Sequence, residues 1–261
     1  MDLEKKTIFI ISGASKGIGK TMAVECCRLF KPNSLAILFA RSREGLEQTR
    51  KEIQAVNETI TVKIYSMDLE EATCTDYHLI MADALTGFKV KDFERAFVIH
   101  NVGSVGDVSK TAKDLSDVDD WKKYFHLNVF GLCVLTAVFM TCFKDIEKLV
   151  VNITSGTAVK PYNTMAQYCS GKATREMFFK VLATEEKDTT VLNYSPGPVD
   201  TDFISNFQKE SKNEELNKQF EKMKQEKTIL TPELTTKKFL QVLKEFKFKS
   251  GDRVDYFDEI H

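Results

Sequence analysis

Thr7-Ile-Phe-Ile-Ile-Ser-Gly13-Ala-Ser-Lys-Gly17-Ile-Gly19 decides the fold. A short apolar run ends in turn residues and reads as a fully buried strand. It passes directly into a glycine-rich loop, and a helical pattern follows over Gly19–Phe30. Gly13 allows a tight turn, Gly17 lets backbone approach a pyrophosphate, and Gly19 lets helix pack close to strand. The helix start offers unpaired N–H groups and a partial positive charge, which suit phosphate. Glycines also mark ordinary turns, so the weight lies in the place of this loop, straight after the first strand.

The same alternation continues down the chain. Apolar runs at Leu35–Ala40, Thr61–Ser66, Ala96–His100, Leu149–Thr154 and Thr190–Tyr194 read as further strands. Helical patterns lie at Arg43–Val56, Tyr77–Leu85, Trp121–Phe143 and Met165–Thr184. Repeated β-α-β units predict an α/β fold, a Rossmann-type doubly wound parallel sheet. No linker or composition break divides the 261 residues, so a single domain is expected.

Composition narrows the function. The formal net charge is −1, which gives no electrostatic case for nucleic acid or an anionic membrane. The most apolar long stretch, Phe130–Phe143, falls short of the roughly 18 residues of a membrane span and reads as a buried helix. Six cysteines form no C-x-x-C pair and have no histidine cluster near them, so no metal site is expected. Cys133 and Cys142 sit in apolar helical surroundings and read as small core residues. With the short N-terminal run Ile8–Ile11 too brief for a signal core, reduced thiols in a cytoplasmic setting are the expectation.

The end of the second strand selects the nucleotide. An acidic residue there would bind the ribose 2′-hydroxyl of NAD, but the chain has Arg41-Ser42-Arg43. A guanidinium suits a 2′-phosphate, and Lys16 adds positive charge nearby, so NADPH/NADP+ is the expected cofactor. Asp68, before Leu69, stands after the third strand, where a carboxylate can accept from an adenine amino group or cap a helix. Asn101-Val-Gly103 closes the fourth strand, where Asn101 can orient backbone beside the cofactor or simply make a turn.

The chemistry is carried by Ser155, a 12-residue gap, and Tyr168-Cys-Ser-Gly-Lys172. Tyr168 and Lys172 lie four apart on a predicted helix and share a face. A nearby ammonium stabilises phenolate, which would lower the tyrosine pKa toward operating pH and suit a general acid. The Ser155 hydroxyl can bond a substrate carbonyl oxygen. Asn128 lies mid-helix, where its propensity is mediocre, so a proton-relay role or a helix kink is expected there.

These residues, in this order, resemble the short-chain dehydrogenase/reductase family over essentially the whole chain. Ser12 stands where threonine is usual, and Asn101-Val-Gly103 lacks the usual alanine. The resemblance implies catalysis by Asn128, Ser155, Tyr168 and Lys172. It implies cofactor contacts from Gly13, Ala14, Ser15, Lys16, Gly17, Ile18, Gly19, Arg41, Ser42, Asp68, Leu69, Asn101, Lys172, Val199, Asp200, Thr201 and Asp202. In the family the proline-glycine segment Pro196-Gly197-Pro198 packs along the nicotinamide, and such enzymes often pair as homodimers through four helices.

Gly106-Asp-Val-Ser-Lys110 and the tail Ser250-Gly-Asp-Arg-Val-Asp255-Tyr-Phe-Asp258 are not general family features. They resemble members that reduce the carbonyl side chain of a pterin in tetrahydrobiopterin formation. That implies a small-molecule pterin substrate held by Ser155, Tyr168, Gly197 and Asp255. The 2-amino and N3 groups of a pterin form a two-donor edge, which a carboxylate accepts in a bidentate manner. A generic carbonyl reductase acting on α-diketones is the alternative, and a non-catalytic NADP-sensing protein is a third. The Lys/Glu-rich stretch Gln208–Lys227, with Leu216, Phe220 and Met223 at helical spacing, reads as a solvated amphipathic helix. Its place after Asp202 also suits a substrate lid spanning about residues 203–230, with 250–258 as a substrate-anchoring tail.

Overall fold

Seven parallel strands form one sheet in the order β3-β2-β1-β4-β5-β6-β7. The structure, a computed structural model, describes residues 1–259. The strands are β1 (Thr7–Ser12), β2 (Leu35–Ala40), β3 (Thr61–Ser66), β4 (Arg95–His100), β5 (Glu147–Ile153), β6 (Thr189–Ser195) and β7 (Arg253–Asp255). The helices are α1 (Gly17–Leu29), α2 (Arg43–Val56), α3 (Cys74–Ala84), α4 (Val118–Phe125), α5 (Gly131–Cys142), α6 (Ala166–Glu185), α7 (Asp202–Glu210), α8 (Glu214–Gln225) and α9 (Pro232–Glu245).

The near-continuous apolar runs follow from burial on both faces. Phe9 and Ile11 of β1 face a core built with α1, α2 and α9, through Met22, Ile53 and Phe239. Ile8 and Ile10 face a second core built with α3, α5 and α6, through Met81, Leu135 and Phe179. Every residue of β1, β2 and β4 is buried. Strand order reverses between β1 and β4, so a crevice opens beyond their carboxyl ends, where ligands bind in such sheets.

The helical run Val118–Cys142 is longer than the Phe130–Phe143 stretch suggested. It has 25 residues, and an 18-residue window within it, with a mean hydropathy of 1.8, passes a membrane-span test by length and composition. Its apolar face packs on the sheet through Leu132, Leu135, Val138 and Phe139. The run is also not one regular helix: His126–Phe130 forms a π turn between α4 and α5. Cys26 and Cys27 are core residues, whereas Cys133 and Cys142 are only half-buried.

Three elements were not anticipated. Helix α9 starts with Thr231 capping Leu234 N at 3.3 Å and Pro232 in its first turn. Helix α7 and the three-residue strand β7 are the other two. Asp68 caps no helix: it accepts Glu70 N at 3.1 Å in a local turn, and Thr73 caps α3 instead.

Candidate active site

The β1–α1 loop is shaped by two close approaches. Gly13 has φ +72°, and a Cβ there would lie 2.7 Å from Asn101 Nδ2. A Cβ on Gly19 would lie 2.3 Å from the Gly13 carbonyl oxygen, so only glycine lets the helix seat against the loop. Helix α1 has no side-chain cap at Lys16, which leaves its first N–H groups available to an anion.

Asn101 fixes the loop against the fourth strand. Its Nδ2 donates to the Ser12 carbonyl at 3.1 Å, while Ser12 Oγ accepts Asn101 N at 3.1 Å and Val102 N at 3.2 Å. The hydroxyl at position 12 therefore does the joining, and serine suffices for it. Asn101 holds backbone in place, as a turn residue alone would not.

At the end of β2 the exposed Arg41 guanidinium has no hydrogen bond or ion pair among the described residues. Ser42 caps α2 through Gly45 N at 3.1 Å. Lys16 does not stand free beside Arg41, because its ammonium pairs with Asp202 at 2.5 Å across the cleft mouth. Uncapped helix N–H groups and an unpaired guanidinium along one wall fit a phosphorylated dinucleotide.

Helix α6 carries the candidate reacting groups, Tyr168 and Lys172. Both are buried. Lys172 Nζ donates to the Ile153 carbonyl at 2.8 Å. Burial, with the neighbouring Arg175 cation, pushes the Lys172 pKa well below its usual value. Burial also dominates at Tyr168, raising the phenol to about 12 against the opposing effects of a Ser155 hydrogen bond and Arg175. The lowering expected from Lys172 is not seen; Ser155 and Arg175 are what oppose desolvation. A phenol that stays protonated at neutral pH is a proton donor, which is the role carbonyl reduction requires.

Asn128 sits within the π turn, where the helix departs from regular α geometry. It is buried and its Nδ2 donates to the Tyr124 carbonyl at 2.8 Å. Its Oδ1 accepts Ser104 N at 2.7 Å. A Cβ on Gly103 would lie 3.2 Å from Asn128 Oδ1, 3.6 Å from Arg175 Nη1 and 3.7 Å from Lys172 Nζ, so three polar groups converge there.

Arg175 was missed from sequence. It is fully buried, donating to Asn152 Oδ1 at 2.9 Å, the Val102 carbonyl at 2.7 Å and the His100 carbonyl at 2.7 Å. Burial lowers it to about 10. It follows Tyr168 and Lys172 on one helical stripe, the signal that could have found it. The Gly106-Asp-Val-Ser-Lys110 motif braces the same helix, with Asp107 N donating to Gln167 Oε1 at 2.8 Å.

One cleft of about 1110 Å³ gathers these groups. It is lined by Gly13, Ser15, Lys16, Gly17, Ile18, Gly19, Arg41, Ser42, Asp68, Leu69 and Asn101 on one side. Ser155, Tyr168, Lys172, Gly197, Val199, Asp200, Thr201, Asp202 and Asp255 line the other. Ala14 and Asn128 are buried behind the wall and do not line it. The roof comes from α7 and α8. The Phe203 ring lies 5.4 Å from that of Tyr168 and tilted to it, Phe220 stands edge-on to Phe207 at 5.8 Å, and Leu216, Phe220 and Met223 face the cleft. The apolar stripe of the Lys/Glu-rich segment therefore covers the site rather than floating in solvent. Val199 pairs with Leu230, so residues 200–229 leave and rejoin the sheet side at one point.

A family model described as short chain dehydrogenase matches residues 7–212. Sepiapterin reductase of Xenopus tropicalis is 35% identical over 252 residues, covering 95% of each chain. A benzil reductase of Bacillus cereus is 27% identical, covering 94% of this chain and 98% of its own. A short chain dehydrogenase of Shigella flexneri, solved with NADP, superposes with a TM-score of 0.77 at 22% identity, covering 98% of this chain and 99% of its own, and supports the fold. Glycine loop, serine, tyrosine and lysine meeting in one cleft agree with the sequence match: the chain belongs to the short chain dehydrogenases, oxidoreductases that use NAD(P).

Proposed function

We propose that this enzyme reduces the carbonyl side chain of a pterin with NADPH, a step of tetrahydrobiopterin formation. The observation that carries the reading is Asp255 in the wall of the cleft that also holds Ser155 and Tyr168. A carboxylate there suits the two-donor edge of a pterin ring. The 35% identity to a sepiapterin reductase over 95% of the chain supports the same substrate class.

The glycine loop and the start of α1 hold the pyrophosphate, and Arg41 meets the 2′-phosphate. The dihydronicotinamide, when bound, supplies a hydride to the carbonyl carbon. Ser155 Oγ donates a hydrogen bond to the carbonyl oxygen, and Tyr168 gives that oxygen its proton. The departing proton leaves a phenolate that the Ser155 bond and Arg175 stabilise. Lys172, tethered to the Ile153 carbonyl, holds the nicotinamide ribose. Asn128 fixes the Ser104 backbone beside these groups and takes part in returning a proton to the site. Residues 203–230 act as a lid whose apolar face excludes water over Tyr168. A second copy packs on α5 and α6 and the π turn that precedes α5, where Phe130, Met177 and Val181 are exposed.

The second reading, an α-diketone reductase, draws on the benzil reductase relative and the apolar roof. Initial rates with sepiapterin and with benzil under NADPH decide between them. Higher kcat/KM for sepiapterin supports the pterin reading; reduction of benzil alone overturns it.

A further inference from the structure

Helix α6 carries a buried acid, Glu176, one turn beyond Lys172. Its Oε1 accepts from Thr154 Oγ1 at 2.7 Å and forms an ion pair with Arg253 Nε at 3.3 Å. On the other side, Arg253 Nη2 donates to Asp255 Oδ2 at 3.0 Å. Asp255 Oδ1 accepts Phe257 N at 3.2 Å. A carboxylate oxygen has two acceptor positions, so each oxygen of Asp255 has one filled and one left. That remaining pair matches a two-donor edge.

Strand β7, which bears both Arg253 and Asp255, has only three residues and lies at the sheet edge. Its ladder to β6 joins Asn193, Tyr194 and Ser195 to Arg253, Val254 and Asp255. So short an edge strand fixes a side-chain direction weakly. The guanidinium between two carboxylates supplies a link to the helix that carries Tyr168 and Lys172. It also relieves the repulsion that two neighbouring carboxylates would otherwise feel.

We propose that Arg253 is a positioning residue that aims Asp255 at the substrate ring by tying it to Glu176. The proposal rests on the pterin reading of the site. Through this linkage the spacing between ring anchor and proton donor is set by side chains on one helix and the strand beside it. Removing Arg253 leaves the anchor present but misdirected, so substrate binding suffers more than the chemical step.

The test measures kcat and KM for sepiapterin and for benzil, with NADPH affinity as the folding control. The variants are Arg253→Met, Arg253→Lys and Asp255→Ala, the last with and without Arg253→Met. Arg253→Met is expected to raise KM for sepiapterin about tenfold, the scale of one charge-assisted bond, with a smaller change in kcat. KM for benzil should move less, and Arg253→Lys should recover most of the loss. In the Asp255→Ala background, Arg253→Met should add little. Arg253→Met leaves the buried Glu176 with Thr154 and the more distant Lys180 ammonium at 3.7 Å; if that variant does not fold, Arg253→Met with Glu176→Gln replaces it. If Asp255→Ala raises KM for sepiapterin but Arg253→Met does not, the positioning role is wrong and the pterin reading stands. If Asp255→Ala leaves that KM unchanged, both fall. Equal losses on both substrates and on NADPH affinity make Arg253 a structural residue and also overturn the proposal.

Discussion

Lys172 Nζ lies 5.5 Å from the centre of the Tyr168 ring while its proton bonds the Ile153 carbonyl. The lysine is thus held beside the phenol by β5 and not by the phenol itself. Tyr168→Phe removes the proton donor and leaves the glycine loop intact. Turnover is expected to fall ~10² to 10⁴-fold with NADPH affinity retained. Single-turnover rates and a fluorescence titration with NADPH check this, and near-normal turnover would assign the proton to another group.

Lys172→Ala is expected to weaken both turnover and NADPH affinity, because the proposed role combines placement beside the tyrosine with a ribose contact. The same titration reads it. Unchanged affinity would remove the ribose contact from the account.

Arg41 is expected to set the nucleotide preference, since its guanidinium is exposed at the end of β2 and unpaired among the described residues, while Lys16 is engaged by Asp202. The unmodified enzyme should prefer NADPH, and Arg41→Asp should erase or reverse that preference. The ratio of kcat/KM for NADPH and NADH measures it. Equal efficiency in the unmodified enzyme would contradict it.

His100 gives a pH dependence of stability. Burial, and secondarily Arg175, lowers its folded pKa from 6.5 to about 3. Between those values the unfolded chain binds a proton that the folded chain does not, so stability is lost as pH falls through that window. The full slope is about 1.4 kcal/mol per pH unit. From pH 6.5 to 5, the unmodified enzyme should lose about 1.6 kcal/mol more than His100→Gln, because the carboxylates common to both cancel. Urea denaturation at the two pH values provides the comparison, and parallel losses would show that His100 is not held neutral.

Legibility followed locality. Strands β1, β2 and β3 and helix α2 lie where the sequence places them, because burial on both sheet faces writes itself into continuous apolar runs. Gly13, Gly19 and the Tyr168–Lys172 spacing were readable for the same reason. The π turn at Asn128 was less so, since it depends on Ser104 from a distant loop. Arg175 reads as a surface helix charge until β4 and β5 surround it with carbonyls. Strand β7 is too short to show a period, and its pairing of Arg253 with Glu176 joins residues far apart in sequence. The apolar stripe of Gln208–Lys227 was visible, but only the tertiary packing shows that Leu216, Phe220 and Met223 line the cleft.

The central claim is that Asp255 makes this cleft a pterin site. The most direct measurement is kcat/KM for sepiapterin and for benzil in the unmodified enzyme and in Asp255→Ala. Hydrogen bonds to a charged group contribute roughly 1.5–3 kcal/mol, so the variant should lose about 10- to 160-fold on sepiapterin and much less on benzil. Equal loss on the two substrates, or no loss on either, would contradict the claim and leave the diketone reductase as the better account.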